Sequence, residues 1–468
     1  PVRARGDGTL YLASRFMRRH RFAFAAGVAL LISLAAGAAG IAWQAREAAN
    51  QRDEARAQAT RMKAVNDYML YMFRVADEEK AAGETVSART VLEKSASRVR
   101  EAFADDPEAA RTMLFSLGDL YYQLGDPRGA ESLIREFLTL TDQNTDPDTL
   151  AAAKQRLAEI TFEAANPGPA FELLAEAQAI WSKNLKRYGK AYDGSRIVEA
   201  AFQREIGHPE RSAAILESVA SGAKNASAED QAVVLNELGS AYSEQGRYPD
   251  AMVTYRRALD LFEKVGQGES SNAAVVLNNL CSATLLRGRP REAETCAKRS
   301  LALREKLYGE SINSAATRLL LGQAQIVRGD PAAGLETLRE GLASAQRFAG
   351  PDSALVARLQ LSIARGYCES GRESESVHLL DSLASAFADS PSLGPHFEGL
   401  VLGERARLAL RRGDLVAAAD LLERAQPLVA LAHGNRQDDL TVLAELRRQL
   451  RDAQRAAAAS HGSVQAGS

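Results

Sequence analysis

The feature that most constrains this chain is a glycine that returns at a nearly fixed interval. Gly83, Gly125, Gly207, Gly246, Gly288, Gly329, Gly371 and Gly413 form one series, with Ala165 standing where a ninth glycine belongs. The spacings are 42, 40, 42, 39, 42, 41, 42 and 42 residues. Nine units of about 42 residues cannot each bury a core of their own, so the period predicts stacked supersecondary units, a solenoid.

Aligned segments show what each unit is made of: LGDLYYQLGDPRGAESLIREFL (117–138), LGSAYSEQGRYPDAMVTYRRAL (238–259), LCSATLLRGRPREAETCAKRSL (280–301) and LGQAQIVRGDPAAGLETLREGL (321–342). The glycine ends a first helix, where a left-handed residue is needed just past the last turn. Proline follows two or three residues later (Pro127, Pro167, Pro209, Pro249, Pro290, Pro331), in the first turn of a second helix that needs no N–H there. Gly118, Gly239, Cys281 and Gly322 on first helices, and Ala130, Ala251 and Ala293 on second helices, let the two backbones approach. Alanine, leucine, arginine and glutamate dominate and aromatics are only 6% of residues, an all-helical composition.

These residues resemble the tetratricopeptide repeat (TPR): L-G-x-x-Y, then Gly, then Ala, then Ala-Leu. Tyr121 and Tyr242 fit the tyrosine position, while Thr284 and Gln325 depart from it. The long period, with Leu277-Asn278-Asn279-Leu280 and Lys306-Leu307-Tyr308-Gly309, is similar to the kinesin-light-chain subtype. HEAT repeats have a comparable length but do not call for the Gly–Pro–Ala pattern. The expected fold is therefore all-α: a superhelical array of hairpins over residues 62–436, capped by an amphipathic helix at 437–456 with Leu440, Leu443, Leu446 and Leu450 on one side. A disordered tail is expected at 457–468.

Ahead of the repeats stands an unlike segment. Phe22 to Trp43 contains no ionisable residue over 22 positions, roughly 33 Å as a helix, enough to cross a hydrocarbon core of about 30 Å. Residues 1–21 carry six arginines and one aspartate, a balance of +5; with a whole-chain net charge of −2, the remainder carries −7. A basic block beside an apolar run reads as membrane topology, and nothing suggests a face for nucleic acid. A buried core helix and a cleaved signal peptide with Ala36-Gly37-Ala38 as its site are the competing readings; the length of the run favours an uncleaved span at 22–43. The arginine flank places residues 1–21 in the cytoplasm and everything after Trp43 across the membrane. A helical linker is expected at 44–61. The stripe Met62, Val65, Met69, Met72 and Ala76 reads as the first helix of the Gly83 unit, with a short coiled coil as the alternative. The chain opens on Pro1 rather than Met, as expected for a piece of a longer or processed protein.

No catalytic chemistry is legible. The six histidines are scattered, and no H-x₃-H, HExxH, CxxC, phosphate-binding loop or G-x-S-x-G occurs. No cofactor or metal is implied. Cys281 and Cys296 share one hairpin and pair only in an oxidising compartment; two small buried residues is the other reading. The TPR resemblance implies a protein or peptide ligand on the concave face, along the first helices. Carried over to this chain, Asn236, Asn278 and Asn279 are candidates to bond a peptide backbone, and Arg358, Arg365 and Arg407 candidates to meet acidic groups.

The front of the chain resembles a second family. Pro1 to Arg5, then Tyr11, Arg15, Phe16, Arg18, Arg19, His20 and Arg21, and after the span Val65-Asn66-Asp67-Tyr68-Met69-Leu70 and Phe73-Arg74, are similar to the segment following the catalytic domain of bacterial eukaryotic-like serine/threonine kinases with C-terminal TPRs. The kinase part itself is missing from these 468 residues. The resemblance implies that the membrane is a bacterial inner membrane and that the chain is an interaction region coupling binding outside it to signalling inside, with homodimerisation as the simplest switch. A membrane-tethered TPR scaffold for envelope assembly, with no kinase attached, is the alternative.

Overall fold

The structure, a computed structural model, describes residues 99–465 apart from 104–105, 144, 223–225, 389–393 and 431–435, with isolated positions between 37 and 68. The expected span at 22–43, the linker at 44–61 and the Gly83 unit lie outside the described residues but for those positions. Among the described residues no helix is long and apolar enough to cross a membrane, and no strand occurs.

After a helical turn at Val99–Ala102, seventeen helices follow. Eight hairpins come first: α1 (Pro107–Gln123) with α2 (Pro127–Thr139), α3 (Pro147–Glu163) with α4 (Pro167–Ser182), α5 (Leu185–Glu205) with α6 (Pro209–Gly222), and α7 (Ala228–Glu244) with α8 (Tyr248–Lys264). Then come α9 (Ser271–Leu286) with α10 (Pro290–Tyr308), α11 (Ile312–Arg328) with α12 (Pro331–Phe348), α13 (Ala354–Glu369) with α14 (Glu373–Ala388), and α15 (Gly394–Arg411) with α16 (Leu415–Ala430). A single long helix, α17 (Arg436–Gln465), ends the chain. It runs nine residues past the end expected for the cap, through most of the stretch expected to be disordered. The chain divides into two compact units, residues 1–145 and 146–468; α1 and α2 lie in the first, α3–α17 in the second.

Each hairpin turn is built the same way. Seven turn glycines adopt φ between +72° and +99°, and Ala165 takes φ 58°, the one non-glycine residue with positive φ among the described residues. At Gly246, its N–H donates to Ser243 C=O (2.8 Å) and the Arg247 N–H to Tyr242 C=O (2.9 Å), the paired bonds that satisfy the last carbonyls of a helix. Where an aspartate precedes the second helix it caps it: Asp126 accepts from Gly129 N–H at 3.0 Å, and Asp330 from Ala333 N–H at 3.2 Å, whereas Asn166 ahead of α4 makes no such bond.

Close approach of the two helices explains the small residues. A Cβ on Gly239 would sit 2.6 Å from the Tyr255 ring, and one on Gly322 2.5 Å from Leu338. Tyr255 and Leu338 are themselves almost fully buried. In the α9–α10 hairpin the same position holds Cys281, and it is joined to Cys296 by a disulfide with Cα atoms 5.4 Å apart. Of the two readings open in the sequence, the structure takes the pair.

Within the second unit, each first helix from α3 to α13 touches the next first helix as well as its own partner, and α15 touches α17; second helices do not contact one another to a comparable extent. The stack therefore curves with its first helices on the inner side.

Candidate functional site

The inner face is where a ligand would lie, and all six candidate residues are on first helices: Asn236 on α7, Asn278 and Asn279 on α9, Arg358 and Arg365 on α13, Arg407 on α15. The asparagines are engaged with neighbouring hairpins. Asn279 donates from Nδ2 to Asn236 Oδ1 (3.1 Å), and Thr317 on α11 donates to Asn278 Oδ1 (3.1 Å). They belong to a series that joins every adjacent pair of first helices from α5 to α15. Arg204 donates to Glu244 (2.6 Å) between α5 and α7, Gln323 to Ser362 (3.0 Å) between α11 and α13, and Arg411 to Glu369 (2.7 Å) between α13 and α15. Apolar packing alone tolerates sliding of one hairpin on the next. A hydrogen bond at each step, half-buried at all but the exposed Arg411–Glu369 pair, does not, because a slip strands its polar atoms. This ladder was only partly legible: two of its members are asparagines in the repeated VLN segment, but Arg204, Gln323 and Arg411 occupy no shared motif position.

The arginines sit at the C-terminal end of the inner face, and there α17 meets them. Arg358 donates to both carboxylate oxygens of Asp439 (3.2 and 2.8 Å), a bidentate pair, and the His396 Nε2 lies 3.1 Å from the same carboxylate. Burial raises the cost of charging Asp439, yet His396 and Arg358 outweigh it and hold the carboxyl below its ordinary range. Arg407 is buried and spends its guanidinium on Glu404, one turn earlier on α15 (2.8 and 3.4 Å). Arg365 differs from both. Its Nε is sealed from solvent and has no partner among the described residues. Burial, reinforced by the neighbouring Arg407 charge, lowers it to about 10. It remains a cation at neutral pH, facing a cavity of about 80 Å³ lined also by Gln323, Ser362, Glu404, Asp439 and Val442.

Next to Asp439, Asp438 has no hydrogen bond or ion pair among the described residues. Burial, then the carboxylates of Asp439 and Glu244, push it up to about 7 against the pull of Arg358. The sequence offered no signal for this. An Asp-Asp pair opening a helix reads as ordinary complement to the helix dipole. Among the described residues no group of three or more His, Cys, Asp or Glu is placed to hold a metal ion.

Comparison with known proteins follows the same lines. Tetratricopeptide-repeat models match residues 113–148, 232–265, 274–311, 315–340 and 399–424. No curated protein matches the chain. Among solved structures, the apo form of the quorum sensor NprR from B. thuringiensis aligns with TM-score 0.53 at 13% identity, over 69% of this chain and 97% of that one. A Rap protein complexed with competence and sporulation factor aligns with TM-score 0.47 at 16% identity, over 74% of this chain and 98% of that one. Kinesin-light-chain TPR-like repeats from Podosopora anserina align with TM-score 0.38 at 19% identity, over 42% of this chain and 95% of that one. The matched stretches are tetratricopeptide repeats, and the hairpins of the second unit form an all-α, TPR-like helical solenoid.

Proposed function

We propose that this chain is the membrane-anchored sensor region of a bacterial serine/threonine kinase, whose TPR array binds a protein or peptide outside the membrane and so changes the association of the parts inside. The observation behind the binding role is the inner face of first helices, where Gln323, Ser362, Arg358 and Arg365 line one cavity and the Arg365 Nε is left without a partner among the described residues. Support for the topology comes from the +5 balance of residues 1–21 ahead of a 22-residue apolar run, and from the Cys281–Cys296 disulfide, which persists in oxidising compartments. A single span transmits little by itself, so ligand-dependent dimerisation of the chain is the switch that fits this architecture.

The test is made on the native protein in intact cells. A thiol-blocking reagent applied before lysis is expected to leave Cys281 and Cys296 unlabelled unless a reductant is added, and crosslinks between spans are expected to change when outer-compartment extracts are supplied. Freely alkylated Cys281 and Cys296 would overturn the topology. A crosslinking pattern indifferent to every extract would overturn the coupling.

A further inference from the structure

A cap needs only to cover the last hairpin, and the α15–α16 hairpin offers an apolar seam in which Leu443, Leu446 and Leu450 are buried. But α17 does more than cover it. Its N-terminal half reaches hairpin α7–α8, four hairpins back from the one it caps. The hydroxyls of Thr441 and Tyr248 are hydrogen-bonded at 2.8 Å across 193 residues of sequence. The Gln437 amide lies 3.5 Å from where a Gly246 Cβ would be, and Leu443 lies 2.8 Å from where a Gly403 Cβ would be. Between those points Asp439 is taken by Arg358 and His396. The helix thus crosses the inner face, bridging first helices that do not otherwise touch, and it lies on the cationic end of the candidate groove.

Its fit there is unequal. Asp439 is fully used, whereas Asp438 is buried in the same interface with no ion pair of its own, and the Nε of Arg365, in the cavity that Asp439 also lines, has no hydrogen-bond partner among the described residues, the carboxylates of Glu404 and Glu369 acting on it without bonding. Both mismatches cost free energy that a better-matched helix would recover. Val442, on the turn after Asp438, lines the Arg365 cavity, so a carboxylate at that position of a docked helix comes within reach of the unpaired guanidinium.

We infer that α17 is a resident occupant of the ligand groove, and that the partner it gives way to is an amphipathic helix with leucines spaced as in α17 and an added carboxylate placed against Arg365. This deepens the reading of the inner face as a binding surface and rests on it. The chain's own helix serves as the probe, so the latch is tested whether or not an outside partner is known.

The experiment uses the full chain, wild type and Asp439→Asn, with two fluorescent peptides: residues 436–455, and the same peptide carrying Val442→Glu. Loosening the latch is expected to speed hydrogen exchange of Leu440–Leu450 amides about tenfold while those of α9 are unchanged, and to tighten peptide binding about tenfold over wild type. The Val442→Glu peptide is expected to bind about tenfold tighter than its parent, with that gain lost in a chain carrying Arg365→Met. Equal peptide binding by wild-type and Asp439→Asn chains overturns the latch, and a Val442→Glu preference that survives Arg365→Met overturns the assignment of Arg365. Should Asp439→Asn not fold, Thr441→Val removes only the hydroxyl bridge to Tyr248 and is read in the same way. Failure of these peptides leaves the coupling experiment above standing, and failure of that experiment leaves the latch standing.

Discussion

Ala165 is expected to be a site where one substitution stabilises the protein. In seven of the eight described hairpins a glycine takes the left-handed position after the first helix, and here an alanine does, at φ 58°. The bonds that close the turn are kept, Ala165 N–H to Phe162 C=O at 2.9 Å and Asn166 N–H to Thr161 C=O at 3.2 Å, the latter the longest of the eight equivalents. The methyl group is exposed, so removing it forfeits no packing. A left-handed conformation costs an L-residue about 1–2 kcal/mol. Glycine's greater freedom in the unfolded chain returns ~0.5–1 kcal/mol of that. Ala165→Gly should therefore stabilise by about 1 kcal/mol, a rise of about 1–2 °C in Tm for a cooperative unit spanning residues 146–468. The mirror experiment is Gly288→Ala. No atom lies within 4 Å of the added Cβ at φ 82°, so its cost is pure backbone, with equal magnitude and opposite sign. Urea and thermal unfolding of both variants read the effect. A destabilised Ala165→Gly, or a Gly288→Ala indistinguishable from wild type, would refute the account of the turn.

Reducing the Cys281–Cys296 disulfide, which closes a separation of 15 residues, should cost ~3 kcal/mol, seen as a lower urea midpoint with reductant and matched by Cys281→Ala/Cys296→Ala. Docking of α17 should depend on pH through Asp438, which faces Asp439 on its own helix, Glu244 on α7 and Arg358 on α13. Its folded pKa, about 7, lies above the ordinary 3.8, so the docked form holds an extra proton between those values. Protection of α17 amides should accordingly fall as pH rises from 4 to 7 and then level off, and Asp438→Asn should abolish that slope; protection that rises over the same range would contradict the assignment. Asp439 has the opposite sign, its contribution being lost only as pH falls below 3.8 through its depressed folded pKa. Asn279→Ala should cost about 1 kcal/mol by stranding Asn236, whereas the double change Asn236→Leu/Asn279→Leu should recover part of it in urea unfolding.

Much of the fold was legible because its causes are local. A residue at positive φ, a proline in the first turn and an aspartate cap each act within four residues of themselves, so Gly125, Pro127 and Asp126 announce one hairpin turn without help from the rest of the chain. The substitution at Ala165 could be placed in the same series on spacing alone. The candidate site was legible to a lesser degree. Asn236, Asn278 and Asn279 lie on the inner helices as expected, yet they bond hairpin to hairpin. A helical face states that a side chain is polar; it does not state whether a ligand or the next repeat will satisfy it.

By itself, then, the sequence determined the repeat and the chemistry of its turns, because a 42-residue period repeats one local solution. The tertiary structure decided three things that depend on residues far apart. It joined Cys281 to Cys296 across two helices, it left Arg365 as the arginine with an unpartnered Nε beside the paired Arg358 and Arg407, and it carried α17 back to Tyr248. Each depends on the curvature accumulated over successive hairpins or on the distance between two helices. Those quantities follow from packing, and no short window of sequence contains them.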